Sequence, residues 1–523
     1  MKNIKRRSSY RMIITIGALL MLISCKTQPP TDLTGENIIP KPVSVTATGD
    51  YFCLGPKAVI YIQDHSGEVS AIGNYLSSVL KPATGFNLDV KPTDEIPGKG
   101  NILLTLSGAG QVGDEGYVLT VTKKLITIAA NKPAGLFNGI QTLRQLLPAE
   151  IESKTVQDLD WHIAGGTITD YPAYSYRGAM LDVTRHFFTA DEVKRYIDLI
   201  SAYKINKLHL HLSDDQGWRI EIKSWPNLTL YGSKTEVGGG VGGYYTQEQY
   251  SDIVKYGDEH FVTIIPEIDM PGHTNAALAS YPELNINGKA PELYTGTEVG
   301  FSTLATKKEI TYKFIEDVFG ELAKLTTGPY MHIGGDESHV TKKEDYIPFV
   351  ERVQDIVIGL GKTPIGWDEI ALGKLRPGVI PQYWSSAVNA NKAVEQGAKL
   401  LMSPSSRAYI DMKYDSLTRI GYTWAGLIEV DKAYNWDPAT LEKGIGKENI
   451  IGIEAALWAE TITTMKDIEY LAFPRLPGLA EVGWTEASAR NWEEYKIRLG
   501  NHAKRFRILD IGYYPSKLVP WVE

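Results

Sequence analysis

The chain has 523 residues, of which 43% are hydrophobic and 22% are charged. These values are typical of a globular protein with two or three domains, and they exclude a disordered or fibrous chain. The formal net charge of −8 argues against nucleic acid as a partner, and two cysteines are too few for a disulfide scaffold or a four-cysteine zinc site.

The N-terminal residues have the pattern of an export signal. Basic residues between Lys2 and Arg11 precede an uncharged apolar run at 12–23, which is too short to span ~30 Å of hydrocarbon. The run ends in Leu-Ile-Ser-Cys, which resembles the cleavage box of a bacterial lipoprotein. We therefore expect a removable signal at 1–24, lipidation of Cys25 and a tether at 25–37. The protein would be exported and held only by lipid on a bacterial membrane, facing the periplasm or at the cell surface.

Residues 38–168 are expected to form an α+β domain. Its apolar and alternating runs predict four strands and two amphipathic helices. The domain has no cluster of nucleophile, base and acid, so we expect it to support the rest of the chain. The predicted strands are 58–62, 102–106, 117–122 and 125–129, and the predicted helices are 68–80 and 134–147.

Residues 169–523 change to short apolar strands separated by helical stretches. This alternation implies parallel pairing, and eight strands favour a (β/α)8 barrel, closed by a terminal helix at 491–507. A doubly wound sheet is the alternative, but no glycine-rich phosphate-binding turn follows any of the strands. The predicted strands are Gly178–Val183, Lys207–Leu212, Thr263–Ile268, Tyr330–Gly334, Thr363–Trp367, Val379–Trp384, Lys399–Ser403 and Ile450–Trp458.

Polar residues follow five successive strands, at the barrel end where active sites lie. One such Asp or His would be a structural group, but five polar segments in succession indicate a functional site. A metal centre is the competing interpretation. No compact ligand pattern such as HxxxH is present, so we expect neither a metal nor a cofactor. The segments are 182–186, 209–218, 267–273, 332–337 and 366–369.

Asp336 and Glu337 form an adjacent acidic pair after the fourth barrel strand. Glycosidases usually place two carboxylates about 5 to 9.5 Å apart on opposite sides of the scissile bond, which neighbours in sequence cannot easily do. Such neighbours could serve a substrate that carries its own nucleophile, one protonating the leaving oxygen and the other orienting the internal group. Gly334 and Gly335 would let the backbone turn so that both carboxylates meet one ligand.

Tryptophan gives a second indication of the ligand. Trp367, Trp384 and Trp458 each end a predicted strand. An aromatic face packs well on the apolar C–H face of a pyranose ring. One such tryptophan could belong to the core, but three at equivalent positions favour a sugar pocket.

Together these motifs resemble glycoside hydrolase family 20, the β-N-acetylhexosaminidases. The resemblance covers nearly all of the mature chain, from Ile-Pro-Lys-Pro at 39–42 to the barrel motifs HLSDDQGW, PEIDMPGH and HIGGDE. It implies an exo-acting, retaining hydrolase that removes terminal β-linked GlcNAc or GalNAc from glycans through an oxazolinium intermediate. It implies no cofactor.

The resemblance also implies a role for individual residues. Glu337 would be the general acid and then the base, Asp336 would orient the 2-acetamido group, and Tyr409 would bind the acetamido carbonyl oxygen. The neighbouring carboxylate would raise the pKa of Glu337, as an acid working near neutrality requires. The residues implied in sugar binding are Arg177, Trp367, Trp384, Asp411, Trp424, Trp458 and Glu460.

His273 with Asp214 resembles the buried pair that supports the acid/base in this family, and Asp215 is the alternative partner of His273. Two other functions stay open. One is a lacto-N-biosidase of the same family, which releases a disaccharide. The other is a surface lipoprotein that binds glycans without cleaving them.

Overall fold

The computed structural model describes residues 29–64 and 66–522. The predicted signal and Cys25 lie outside the described residues. The predicted tether is too long, because Leu33 is buried in the core of the N-terminal domain and the carbonyl of Asn37 lies 2.7 Å from His502 Nε2. No helix among the described residues is long and apolar enough to cross a membrane.

The N-terminal domain is a mixed seven-stranded sheet with two helices packed against it, which confirms the α+β prediction. Its strand order is β1-β7-β5-β6-β4-β2-β3, and the predicted boundary at residue 168 falls two residues before the end of β7. The strands are β1 (Ser44–Leu54), β2 (Ile60–Ile62), β3 (Val90–Pro92), β4 (Asn101–Thr105), β5 (Tyr117–Val121), β6 (Leu125–Ala130) and β7 (Trp161–Asp170), and the helices are α1 (Gly67–Thr84) and α2 (Pro133–Leu146).

The second domain is a closed barrel of eight parallel strands, and all eight predicted strands are present. The last strand pairs with the first, with Glu454 opposite Gly178. The carboxyl ends of the strands therefore meet at one mouth. The strands are β8 (Tyr176–Asp182), β9 (Lys207–His211), β10 (Thr263–Glu267), β11 (Tyr330–His332), β12 (Thr363–Trp367), β13 (Ile380–Tyr383), β14 (Leu400–Met402) and β15 (Ile450–Ala455).

Helices surround the barrel, and two of them begin with a reciprocal capping box, Thr189 with Glu192 and Thr246 with Gln249. The helices are α3 (Ala190–Ser201), α4 (Asn227–Leu230), α5 (Gln247–Glu259), α6 (Asn275–Ser280), α7 (Glu309–Leu325), α8 (Lys343–Gly359), α9 (Ala387–Glu395), α10 (Ser405–Ala408), α11 (Val430–Tyr434), α12 (Met465–Ala472), α13 (Arg475–Trp484), α14 (Trp492–Asn501) and α15 (Ala503–Ile508).

The C-terminal helices differ from the prediction. The predicted helix at 491–507 is two helices, α14 and α15, which meet at His502. The helix that packs on β15 and β8 is α13. Arg505 of α15 instead bonds to Glu152 of the N-terminal domain, so the end of the chain joins the two domains.

A buried polar cluster fixes the junction between the domains. Asp170, the last residue of β7, accepts hydrogen bonds from Tyr117 Oη at 2.7 Å, Trp484 Nε1 at 2.8 Å and Lys204 Nζ at 2.9 Å. Trp484 belongs to α13 of the barrel, yet it packs in the core of the N-terminal domain. The two domains therefore share part of one core.

Candidate active site

A cavity of about 650 Å³ opens at the mouth of the barrel. Residues that follow every barrel strand except β12 line it, so the loops at the carboxyl ends of the strands build the site. The predicted site residues that line the cavity are Asp214, His273, Asp336, Glu337, Trp384, Tyr409, Asp411, Trp424, Trp458 and Glu460.

A sharp turn after β11 presents the acidic pair. Gly334 and Gly335 have φ of +63° and +109°, and Glu337 itself has φ of +43°, which is uncommon for a residue with a side chain. A Cβ atom on Gly334 would lie 1.7 Å from Asp269 Oδ1, so only glycine fits there. The predicted turn is confirmed, and it brings both carboxylates to one cavity.

His273 connects the acidic pair to a buried aspartate. Its Nδ1 lies 3.2 Å from Asp214 Oδ1, and its Nε2 lies 3.6 Å from Glu337 Oε2 and 3.8 Å from Asp336 Oδ2. The nearest oxygen of Asp215 lies 3.9 Å from the same Nδ1. Asp214 is therefore the hydrogen-bond partner of His273.

The protonation of the acidic pair differs from the sequence-based expectation. Burial raises the pKa of Glu337, but the positive charge of the nearby His273 ring outweighs burial and lowers it. Burial and the charge of Asp269 raise the pKa of Asp336 well above its usual value. The expected rise in the pKa of Glu337 is therefore wrong for the protein without sugar.

Aromatic rings form one wall of the cavity. The rings of Trp384 and Tyr409 are nearly parallel, with centroids 6.3 Å apart and an interplanar angle of 14°. Trp424 stands almost perpendicular to Tyr409 at 5.8 Å, and it is 57% exposed at the rim. These rings give the cavity an aromatic wall, which suits the apolar face of a sugar ring.

Trp367 lies behind this wall. Its side chain is fully buried and does not line the cavity, and its ring centroid is 5.7 Å from that of Trp458. Trp367 Nε1 donates to Glu267 Oε1 at 2.9 Å. Trp367 therefore supports the wall and fixes it to the barrel interior.

The polar end of the cavity contains Arg185, Asp411 and Glu460. Arg185 Nη2 lies 2.8 Å from Asp214 Oδ2, and its guanidinium carbon lies 4.9 Å from the ring centroid of Trp458. Both carboxylate oxygens of Asp411 and Oε2 of Glu460 are buried without a hydrogen-bond partner among the described residues. Burial and the charge of Glu460 raise the pKa of Asp411. Such orphaned acceptors fit the hydroxyl groups of a ligand.

Arg177 does not lie at this site, so its prediction as a sugar ligand is wrong. It is near the start of β8, away from the mouth, and its guanidinium binds Glu115 of the N-terminal domain at 2.7 Å. Arg185, just after β8, occupies the cavity instead. The rule that function lies at the carboxyl ends of barrel strands already favoured Arg185.

Four further lining residues were not predicted from the sequence. Thr297 and Val299 lie on the long connection between α6 and α7, Ser385 lies between β13 and α9, and Tyr422 lies between α10 and α11. No motif or periodicity marks these loop positions.

Several buried groups could hold a metal ion by proximity alone. Ligand atoms of Asp269, His273 and Asp336 lie within 4.8 Å of one another, as do those of three other described triads. Atoms of these triads already form ion pairs, such as His273 with Asp214. The absence of a metal and of a cofactor stays a prediction.

Comparison with known families matches both domains. The model for the glycosyl hydrolase family 20 catalytic domain matches residues 174–487, and that for domain 2 of the same family matches residues 36–171. A β-N-acetylhexosaminidase of Cellulomonas fimi is 40% identical over 490 residues, which are 92% of this chain and 97% of that protein. A β-hexosaminidase of Porphyromonas gingivalis is 34% identical over 96% of this chain and 68% of its own length.

Solved structures agree. The family 20 β-N-acetylhexosaminidase of Streptomyces coelicolor A3(2) has a TM-score of 0.91 and 49% identity, covering 95% of this chain and 100% of that chain. A mutant Streptomyces plicatus β-hexosaminidase in complex with the product GlcNAc also has a TM-score of 0.91 and 49% identity, covering 95% and 99%. With both domains matched over nearly their whole length, this chain belongs to glycoside hydrolase family 20.

Proposed function

We propose that the protein is an exo-acting β-N-acetylhexosaminidase that hydrolyses terminal β-linked GlcNAc or GalNAc with retention of configuration. The observation that carries this proposal is the turn after β11, which directs Asp336 and Glu337 into one cavity. Two carboxylates on one turn suit a substrate whose own 2-acetamido group is the nucleophile. The names of the relatives support the same substrate class.

In the first step, Glu337 gives its proton to the glycosidic oxygen. The acetamido carbonyl oxygen attacks the anomeric carbon, the C–O bond to the aglycone breaks, and an oxazolinium ion forms. Asp336 accepts a hydrogen bond from the acetamido N–H and stabilises the positive charge. Attack from within the bound sugar has the rate advantage of an intramolecular reaction.

In the second step, Glu337 removes a proton from water, and the water oxygen attacks the anomeric carbon. The bond to the acetamido oxygen breaks, which restores the N-acetyl group. Two inversions give net retention. In this proposal Tyr409 donates to the acetamido oxygen, and Arg185, Asp411 and Glu460 bind hydroxyl groups. All four residues line the cavity, which supports these roles.

Sugar binding changes the pKa of each acid in the direction that catalysis needs. An N–H group that donates to Asp336 favours its ionised form and lowers its pKa. The side chain of Glu337 is 28% exposed, and a sugar over it would remove water and raise its pKa. Both changes favour Glu337 as the proton donor.

A panel of aryl glycosides tests the substrate. We expect release of the aryl group from β-GlcNAc or β-GalNAc, and little from β-lacto-N-bioside. Preferred cleavage of the disaccharide would favour a lacto-N-biosidase. If none of the three substrates is cleaved, a glycan-binding lipoprotein without catalysis would be favoured. The intact set of Asp336, Glu337 and Tyr409 argues against that outcome.

We also propose that the chain is exported and lipid-anchored at Cys25. The basic head, the apolar run at 12–23 and the Leu-Ile-Ser-Cys ending support this. In bacteria fed labelled palmitate, the intact chain should carry label and sediment with membranes. Cys25→Ser should lose both, and an unlabelled intact chain would contradict the proposal.

A further inference from the structure

Glu267 is a buried carboxylate beneath the site that no step above uses. It is the last residue of β10 and is fully buried. Its Oε1 accepts from Trp367 Nε1, and its Oε2 lies 3.0 Å from His209 Nε2 and in short contact with His211 Nδ1. The carboxylate of Glu267 therefore contacts Trp367, which supports the aromatic wall. It also contacts His211, which lies between Glu267 and the acidic pair.

A continuous series of contacts leads from Glu267 to Glu337. His211 Nε2 lies 2.7 Å from Asp214 Oδ2, and Asp214 Oδ1 lies 3.2 Å from His273 Nδ1. His273 Nε2 then lies 3.6 Å from Glu337 Oε2. Acidic and imidazole groups alternate along the series, so each hydrogen bond restricts the next ring or carboxylate.

Opposite charges on neighbouring groups hold the side chains of this series in one arrangement. Burial opposes the ionised form of Glu267, but the positive charge of His211 outweighs burial and helps to lower the pKa of Glu267 well below its usual value. Burial likewise opposes the cationic form of His211, yet Glu267 and Asp214 raise its pKa. His211 is therefore a cation between two carboxylates.

The cation on His211 orients Asp214. Asp214 Oδ2 contacts both His211 Nε2 and Arg185 Nη2, the latter at 2.8 Å. Because two donors occupy Oδ2, Oδ1 is directed to Nδ1 of His273. The Nε2 atom of His273 is then the ring nitrogen that faces Glu337.

We propose that Glu267 is a positioning residue for proton transfer by Glu337, acting through His211, Asp214 and His273. The proposal rests on the hexosaminidase function proposed above. Glu267 does not touch the substrate. Groups that orient a catalytic side chain from behind commonly contribute about 10- to 100-fold to activity.

The test compares Glu267→Gln with Glu454→Gln on two aryl β-GlcNAc substrates, 4-nitrophenyl and phenyl. Glu454 is also fully buried in the barrel and lies 2.9 Å from His209 Nδ1. Among the described residues, no hydrogen bond joins the Glu454 carboxylate to His211 or to the groups that follow it in the series. Loss of acid catalysis matters more for the poorer phenol leaving group. We expect Glu267→Gln to lower kcat roughly tenfold or more on the phenyl substrate and much less on the nitrophenyl substrate. Glu454→Gln should keep the wild-type ratio between the two substrates.

A second variant covers the case in which Glu267→Gln does not fold. His211→Gln interrupts the same series at the group next to Glu267. It should show the same dependence of kcat on the leaving group. Where both single variants fold, the double variant should be no slower than the slower single variant, since both act through one path. Equal slowing of both substrates in a folded variant would overturn the proposal. If the wild-type protein cleaves neither substrate, the proposed function fails instead.

Discussion

Asp336 and Glu337 are neighbours on one turn, but their surroundings differ. Asp336 is 7% exposed and lies near the carboxylate of Asp269, whereas the side chain of Glu337 is 28% exposed and lies near His273. The more exposed acid is the one that can meet the glycosidic oxygen and then water. The more buried acid is suited to a lasting contact with the substrate's acetamido group.

This division of roles predicts different defects in two variants. Glu337→Gln should lower kcat by roughly 10²- to 10⁴-fold on phenyl β-GlcNAc and less on the nitrophenyl substrate. Asp336→Asn should slow both substrates strongly, because the nucleophile itself loses its orientation. Glu351→Gln is the control, since its side chain is also 28% exposed but lies on α8 away from the cavity. The assignment would be wrong if both site variants kept wild-type rates.

The two arginines on and after β8 give a second prediction at this scale. Arg185→Met should raise KM for aryl β-GlcNAc by at least about tenfold, because it loses a charged group at the polar end of the cavity. Arg177→Met breaks the contact with Glu115 and should lower the Tm, while KM changes less than about twofold. Steady-state kinetics and thermal unfolding of both variants decide this. If only Arg177→Met raised KM, Arg177 and not Arg185 would be the arginine that binds the sugar.

At the scale of elements, the turn after β11 determines where the acidic pair lies. Its two glycines have positive φ, and the space beside Gly334 is filled by Asp269. The strand itself is only three residues long, Tyr330–His332. The turn therefore depends on close packing against its neighbour and not on a long strand.

Gly334→Ala should destabilise the protein by about 1–3 kcal/mol, since it adds backbone strain and forces Asp269 to move. It should also lower kcat at least about tenfold, because a small displacement of the catalytic groups is costly. Gly359→Ala is the control, because it ends α8 and a Cβ there meets nothing within 4 Å. Urea unfolding and kinetics measure both effects. A Gly334→Ala variant as stable and active as the control would contradict this account of the turn.

The barrel could be predicted because short strands rich in apolar residues alternate with helical stretches, as in parallel sheets covered by helices. Strands β1, β3 and β7 could not be predicted, because β1 is mostly exposed, β3 has only three residues and β7 contains Gly165 and Gly166. The acidic pair was marked by its motif. The motif did not indicate which of the two acids has the higher pKa. That order depends on the distances to His273 and Asp269, which only the folded chain sets.

At the scale of the whole molecule, the N-terminal domain and the barrel are joined through a common core. Asp170 and Lys204 form a fully buried ion pair at the junction, and Trp484 reaches from the barrel into the other domain. None of the described residues of the N-terminal domain lines the cavity. Its contact through Glu115 with Arg177, near the start of β8, lies at the end of the barrel opposite the mouth.

Asp170→Asn should destabilise the molecule by about 3–5 kcal/mol, because it leaves the buried ammonium of Lys204 without a counter-charge. Both domains should unfold together, since they share the cluster. The control is Glu309→Gln, which removes an exposed partner of Arg352 and should leave the Tm unchanged. Equal Tm values for the two variants would show that the junction pair does not stabilise the fold.

The central claim is that the substrate supplies its own nucleophile. The most direct measurement compares kcat/KM of the purified protein on 4-nitrophenyl β-GlcNAc and 4-nitrophenyl β-glucoside, which differ at the 2-position. Since only the former carries the acetamido group, we predict a rate at least roughly 10³-fold higher on it. Comparable rates on the two glycosides would contradict substrate assistance and with it the roles given to Asp336 and Tyr409.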